Sequence, residues 1–396
     1  MTLKKMMIAL LAVASFGLAF GQGLTVWTTV SDQTLEWLEG ETASFTAAFG
    51  VPVNVVKLDL GELAATVLRA APQGEAGDLF VGVPHDQIGA MAEGGVLADM
   101  SVYATPGYLA DLSEQARLAY TFAGKLFGLP MWVEGPALIV NTDLVPNAPA
   151  TYEEMIALAQ ELTTADTFGF MFAAADPYFG YLYIRSFGGY VFGRDADGSL
   201  NPRDVGLNSE GAIRGAQALK DLRYAYGLLP AGVNYEVANG LFVDGVLAMI
   251  FNGPWATSQY ASAGVNFAVM PVPPMADGSE FGAFMGVQGV LMNQFSSNKV
   301  DAANFAKWIT RGDAQISMAQ LSGRIPASES ALAAVGDDPT IQGFGLALLN
   351  AEPMPNIPQM GQYWGPAGNA LDVILASPDS DIPATLNRAV QEILGN

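Results

Sequence analysis

Cysteine is absent from all 396 residues. That excludes disulfides, thiolate metal sites, a cysteine nucleophile and an N-terminal cysteine that could carry a lipid. Histidine occurs once, at His85. A single imidazole cannot build a histidine-rich metal site. No Gly-x-Ser-x-Gly turn offers a serine for it to activate, so His85 reads as a structural residue at a helix start. Basic residues are scarce, with 17 Lys and Arg against 39 Asp and Glu and a formal net charge of -22. Such a surface repels nucleic acid and anionic lipid, so neither is expected as a partner. Phe187-Gly188-Gly189 has no following Lys-Ser/Thr, which removes the phosphate-loop reading. No cofactor and no metal are expected. Apolar runs long enough to span a bilayer are missing too, because Gly and Pro interrupt each candidate.

The one near-exception is at the start. Lys4 and Lys5 precede the apolar run Met6 to Phe20, and Ala19 and Gly21 fit a cleavage site before Gln22. The pattern is that of a signal peptide over residues 1–21. A product released beyond the inner membrane, in the periplasm and without a lipid anchor, is the expectation.

Hydrophobic residues make up 51% of the chain and charged residues 14%, a globular composition with enough length for two lobes. Buried strands at Leu24 to Thr28, Val51 to Leu58 and Asp78 to Val83 alternate with helical patterns at Thr34 to Phe49 and Gly61 to Ala71. That alternation predicts α/β units with parallel pairing. Short Gly- and Pro-bearing stretches then mark crossings between lobes near 134–136, 283–285 and 311–312. The expected organisation is a first lobe of residues 22–133 with 286–310 and a second of 137–282 with 313–396. Two lobes joined by short crossings can close by hinge motion on a cleft between them.

Three places set an aromatic on a turn. Met354-Pro355-Asn356-Ile357-Pro358-Gln359-Met360 contains two prolines and leads to Tyr363-Trp364, before a helix-like run at Ala367 to Ala376. Asn252-Gly253-Pro254-Trp255 and Asp176-Pro177-Tyr178-Phe179 repeat the device of a turn residue, a proline and a ring at a helix N-terminus. Tyr178, Trp255 and Trp364, with Tyr181 and Phe179 beside them, are the candidate stacking surfaces, although rings at helical spacing are more often core. Asp32, Asp86, Glu134 and Asp176 stand at turns after strands. A carboxylate there accepts hydrogen bonds from neighbouring hydroxyls, while any one of them alone would more often be surface decoration. Fixed rings and convergent carboxylates suit flat, neutral, hydroxyl-bearing ligands such as sugars.

These residues resemble a known family, the maltose/maltodextrin-binding proteins of bacterial ABC sugar importers. The resemblance covers nearly the whole mature chain. It rests on Val26-Trp27, Phe45 to Gly50, His85-Asp86, Ile139 to Pro146 with Thr151 to Glu154, Asp176 to Phe179, Gly188-Gly189-Tyr190, Asn252 to Trp255, and Met354 to Met360 with Trp364. It implies an α/β, two-lobed periplasmic-binding-protein fold with a hinge and an interlobe ligand cleft. It implies Asp32, Asp86, Glu134 and Asp176 as acidic sugar contacts and Tyr178, Trp255 and Trp364 as the aromatic platform. It implies a monomer that makes and breaks no bond and delivers a maltose- or maltodextrin-type α-glucoside to ABC permease subunits in the inner membrane. A binder of trehalose or sucrose is the nearest alternative. A secreted glycoside hydrolase using two cleft carboxylates is a further one, and a sensory or adhesive module a third.

Overall fold

The computed structural model describes residues 23–395, with the side chain of Asp32 left out. The leader expected over residues 1–21 lies outside the described residues. Two sheets form the centres of two lobes. In the first, the strands run in the order Ile325–Pro326, Gly128–Glu134, Phe284–Met292, Leu79–Pro84, Leu24–Thr28, Val53–Lys57, with Glu352–Pro353 beside Phe284–Met285. Leu24–Thr28 is parallel to both of its neighbours, and Phe284–Met292 is antiparallel to Gly128–Glu134 and Leu79–Pro84. Every residue of Leu79–Pro84 and Phe284–Met292 is buried. Helices cover both faces of such a strand, which explains its unbroken apolar reading. The second sheet has the order Phe267–Met270, Ala137–Asn141, Leu247–Asn252, Phe168–Met171.

The chain passes between these sheets where three segments lie together. Gly128–Glu134 ends in the first sheet, and after Gly135-Pro136 the strand Ala137–Asn141 opens the second. Phe281 and Ala283 belong to the core of the second lobe and Met285 to that of the first. Glu352–Pro353 runs parallel to Phe284–Met285, with the Glu352 N–H donating to the Ala283 carbonyl at 2.8 Å and the Met354 N–H to the Met285 carbonyl at 3.1 Å. An Arg185–Glu352 ion pair at 2.6 Å ties this third segment to the second lobe.

The crossing expected at 311–312 is not where the chain changes lobes. Helix Gly312–Ser322 sends Ala314 and Met318 into the first core, and Trp37 Nε1 donates to Ser317 Oγ at 3.0 Å. Arg311-Gly312-Asp313 is a corner between packed helices: the Arg311 guanidinium pairs with Glu41 at 2.9 Å and lies 4.0 Å over the Trp308 ring. A Gly beside charged residues reads as a linker in sequence, yet here the charges anchor the turn. Residues 313–322, expected in the second lobe, therefore pack on the first. The chain reaches the second lobe again at helix Pro339–Ala347, where Phe344 enters a core with Ile139 and Ile250.

Candidate functional site

The first lobe offers a polar wall. Strand Leu79–Pro84 runs into the short helix His85–Gln87, which places His85 and Asp86 just beyond its carboxyl end. His85 is 1% exposed and fully engaged: its Nδ1 accepts from the Val287 N–H at 3.1 Å, so its Nε2 carries the proton and donates to the Met354 carbonyl at 2.9 Å. Burial lowers its pKa from 6.5 to about 4. Asp86 is 6% exposed, and Trp364 Nε1 donates to its Oδ2 at 3.1 Å. Burial raises its pKa to about 7 against the opposing pull of that indole bond. The other oxygen, Oδ1, accepts no hydrogen bond from the protein, and neither does the buried Oε1 of Gln288.

Glu134, 7% exposed at the first crossing, has its carboxylate held by three donors. Trp132 Nε1 and the Arg324 guanidinium donate to Oε2, the former at 2.8 Å, and Gln288 Nε2 donates to Oε1 at 2.8 Å. Arg324 also lies 5.2 Å over the Trp132 ring and donates through Nε to Thr34 Oγ1 at 3.3 Å.

The second lobe offers an aromatic wall carried on helix N-termini. Asp176 caps helix Pro177–Ser186 by accepting from the Tyr178 N–H at 2.8 Å. Its carboxyl is exposed, yet the surrounding protein raises its pKa by partial desolvation. Pro254 opens helix Pro254–Ser262 and Trp255 follows at once. The Trp255 ring folds back over Gly253, where a Cβ would stand 2.1 Å from it, so only glycine permits the fold. Helix Trp364–Ala376 starts at the tryptophan itself, three residues before the run read from sequence. Pro366 does not prevent this, because the first turn has no intrahelical partner for its N–H groups. Ring centroids run from Trp255 to Tyr178 at 6.1 Å, on to Phe284 at 6.1 Å and to Trp364 at 5.9 Å.

The two walls face each other. The Tyr178 phenol is pushed well above its usual pKa first by burial and then by the negative charges of Glu134, Asp176 and Asp86, with Arg324 countering. One hydroxyl in the second lobe thus feels carboxylates from both lobes. The stretch Met354 to Met360 makes the juxtaposition possible. Asn356 Nδ2 donates to the carbonyls of Ala119 and Thr121 at 3.1 and 3.0 Å. A Cβ at Gly89 would stand 2.5 Å from the Asn356 carbonyl oxygen. The segment therefore lies flat on the first lobe before delivering Trp364 to the second.

Of the residues singled out from sequence, Asp86, Glu134, Asp176, Tyr178, Trp255 and Trp364 come together where the two walls meet. Asp32 is the first residue of helix Asp32–Phe49, and its side chain lies outside the described ones. The next residue, Gln33, accepts through Oε1 from Ser258 Oγ of the opposite lobe at 2.7 Å. Tyr181 is not a stacking surface: it is 0% exposed, and Phe284 covers its face at 3.7 Å between centroids. Phe179 is buried as well. Sequence reasoning missed Trp132, Gln288 and Arg324. Trp132 carried a signal, since it lies two residues before Glu134 and so on the same face of one strand. Arg324 carried none. Two cavities, of about 210 and 340 Å3, lie away from the acidic and aromatic group.

A two-lobed α/β body with a polar wall facing an aromatic one defines a class of ligand-capturing protein, and the comparisons agree. The chain belongs to the bacterial extracellular solute-binding proteins, whose family pattern matches residues 42–343. It is 30% identical over 388 residues to the galactooligosaccharide-binding protein of Bacillus subtilis (strain 168), covering 95% of this chain and 89% of that one. It is 31% identical over 352 residues to the maltotriose-binding protein of Pyrococcus abyssi (strain GE5 / Orsay), covering 87% and 76%. Among solved structures it resembles the Thermus thermophilus maltotriose binding protein bound with maltotriose, with a TM-score of 0.90 and 44% identity over 93% of this chain and 98% of that one. No helix among the described residues is long and apolar enough to cross a membrane.

Proposed function

We propose that this chain captures α-glucosides of the maltose and maltodextrin type between its lobes and presents them to the permease subunits of an ABC importer. It works as a monomer in the periplasm and makes or breaks no bond. The observation that carries this reading is the row of rings from Trp255 through Tyr178 to Trp364, which meets the buried Asp86 of the other lobe through the Trp364 indole. Sugar rings stack on Tyr178, Trp255 and Trp364, while their hydroxyls donate to Asp32, Asp86 and Asp176. Glu134, already bonded to three donors, holds the floor of the cleft through Trp132, Gln288 and Arg324. The unpartnered oxygens of Asp86 and Gln288 ask for donors, and buried acceptors are costly to leave unmet. The 44% identity to a maltotriose-bound protein supports the same ligand class.

Because the aromatic wall and the polar wall belong to different lobes, a sugar gains its full set of contacts only in the closed form. The ligand shifts the lobes by its differential affinity for that form. A galactooligosaccharide is the second reading, favoured by the name of the Bacillus subtilis relative.

Calorimetric titration with maltose, maltotriose, trehalose, sucrose and a galactooligosaccharide tests the proposal. Maltose or maltotriose should bind most tightly, compact the protein in solution scattering and raise its melting temperature with concentration. Tightest binding of the galactooligosaccharide, or of trehalose or sucrose, would replace the ligand class. Maltotriose recovered after a day should be intact; glucose release would turn the reading to a hydrolase.

A further inference from the structure

Phe284 stands where the chain crosses between the lobes. Met285, Val287 and Leu291 of the same strand pack in the first core, whereas the Phe284 ring is buried in the second lobe with Tyr181, Met354 and Tyr363. The other two crossings touch it. Its backbone lies beside Glu352 in the parallel ladder, and a Cβ at Gly135 would stand 2.7 Å from its carbonyl oxygen. Helix Pro177–Ser186 is fastened to the same place. Tyr181 lies face to face with the Phe284 ring, at 3.7 Å between centroids and 5° between planes. The Gly282 N–H donates to Ser186 Oγ at 3.0 Å, and Arg185 pairs with Glu352 at 2.6 Å. The same ring also meets the platform. Tyr178 is 6.1 Å away with its plane tilted by 25°, and Trp364 is 5.9 Å away, edge-on at 64°. Among the described residues Phe284 is the ring that joins these two. Aromatic pairs favour offset or edge-on geometries, so the orientation of the middle ring constrains both neighbours.

We infer that Phe284 is a positioning residue for sugar capture: it sets the placement of Tyr178 relative to Trp364 and ties that placement to the angle between the lobes. The ring is buried and acts through the two platform rings. A turn of the crossing backbone turns it, so lobe closure and platform geometry change together. The inference rests on the sugar-binding reading and adds to it a residue at the crossing. Phe284→Leu keeps an apolar side chain and removes the flat face. Phe281→Leu makes the same truncation three residues earlier, where the ring packs on Tyr152 at 4.9 Å and Tyr183 at 5.8 Å instead of on the platform. Tyr181→Leu removes the ring that clamps Phe284, and Tyr181→Phe keeps it.

The test is calorimetric titration of the native chain and these variants with maltose and maltotriose, beside their melting temperatures. Phe284→Leu should weaken the tighter of the two sugars by about tenfold. Phe281→Leu should lower the melting temperature as Phe284→Leu does, yet change affinity by less than about twofold. Tyr181→Leu should weaken binding by about threefold and Tyr181→Phe by less than about twofold. In a Trp364→Ala background, Phe284→Leu should cost no more than about a further threefold, because one of the rings it positions is gone. Native affinity in Phe284→Leu, an equal loss in Phe281→Leu, or losses that simply multiply in the double variant overturns the positioning role and leaves the sugar-binding reading standing. If Phe284→Leu fails to fold, the Tyr181 pair carries the test, and equal affinity in its two members overturns the role. A native chain that binds neither sugar overturns both readings.

Discussion

The two walls of the cleft are built by opposite means. In the second lobe, each ring is set by its immediate neighbours: Asp176 and Pro177 before Tyr178, Gly253 and Pro254 before Trp255, and the first turn of a helix at Trp364. In the first lobe, each polar group is held from far along the chain. Arg324 reaches Glu134 across 190 residues, Gln288 reaches it across 154, and Trp364 reaches Asp86 across 278. Local construction gives rings whose environment tolerates truncation. Long-range construction gives a buried network in which each member's removal strands another. The aromatic wall should therefore respond to mutation in binding, and the polar wall in stability.

The largest expected effect is at the base of the polar wall. Arg324→Ala leaves Glu134 buried without its counter-charge and should cost about 3–5 kcal/mol of unfolding free energy. Urea unfolding measures it, and a loss below about 1 kcal/mol would make the network decorative.

Next comes the pair His85 and Asp86, adjacent in sequence and opposite in pH response. Asp86 has its pKa raised from 3.8 to about 7, so the folded state holds the extra proton between those values. Its contribution is present below pH 3.8 and is lost as pH rises through 7. His85 has its pKa lowered from 6.5 to about 4, so its contribution is present above 6.5 and is lost as pH falls through 4. The two trends offset each other where the windows overlap. Asp86→Asn removes only the first. The stability of the native chain relative to this variant should grow as pH falls from 7 to 4, by about 1 kcal/mol per pH unit. Denaturant unfolding across that range measures it, and a difference independent of pH would show that Asp86 is not held as described.

The smallest effects belong to the aromatic wall and appear in affinity. Trp255→Ala and Trp364→Ala should each weaken sugar binding by about 1–3 kcal/mol with the fold retained. Trp364→Phe sharpens the comparison, because it keeps a ring and removes the indole donor to Asp86. If calorimetry finds Trp364→Phe as weak as Trp364→Ala, the bond to the polar wall matters more than the stacking surface. Normal affinity in either alanine variant would place that ring outside the site.

The starts of the helices that carry the candidate rings were legible because proline, glycine and aspartate act within a few residues. The capping role of Asp176 and the helix start at Pro254 follow from local backbone chemistry, whereas His85 is held by Met354 and Val287, 269 and 202 residues away. The two-lobed α/β arrangement is likewise written in the alternation of buried strands with amphipathic helices. Tyr181 misled for the same local reason. It shares the helix of Tyr178 and, three residues on, the same face of it, but Phe284 covers its ring at 3.7 Å, and nothing within three residues distinguishes the two. The crossing misplaced at 311–312 failed because a glycine between charges is a linker only if those charges find no partner, and Glu41 lies 270 residues away.

The sequence by itself determined which residues could form strands, helices and turns, that no cysteine chemistry is available, and that rings stand at helix starts. Only the tertiary structure decided which carboxylate is saturated and which keeps a free oxygen. Glu134 ends a strand and Asp86 follows one, both buried, yet Trp132, Gln288 and Arg324 converge on the first while only the Trp364 side chain reaches the second. Hydrogen bonding and burial depend on what the fold brings within about 3 Å, and sequence separation carries no record of that distance.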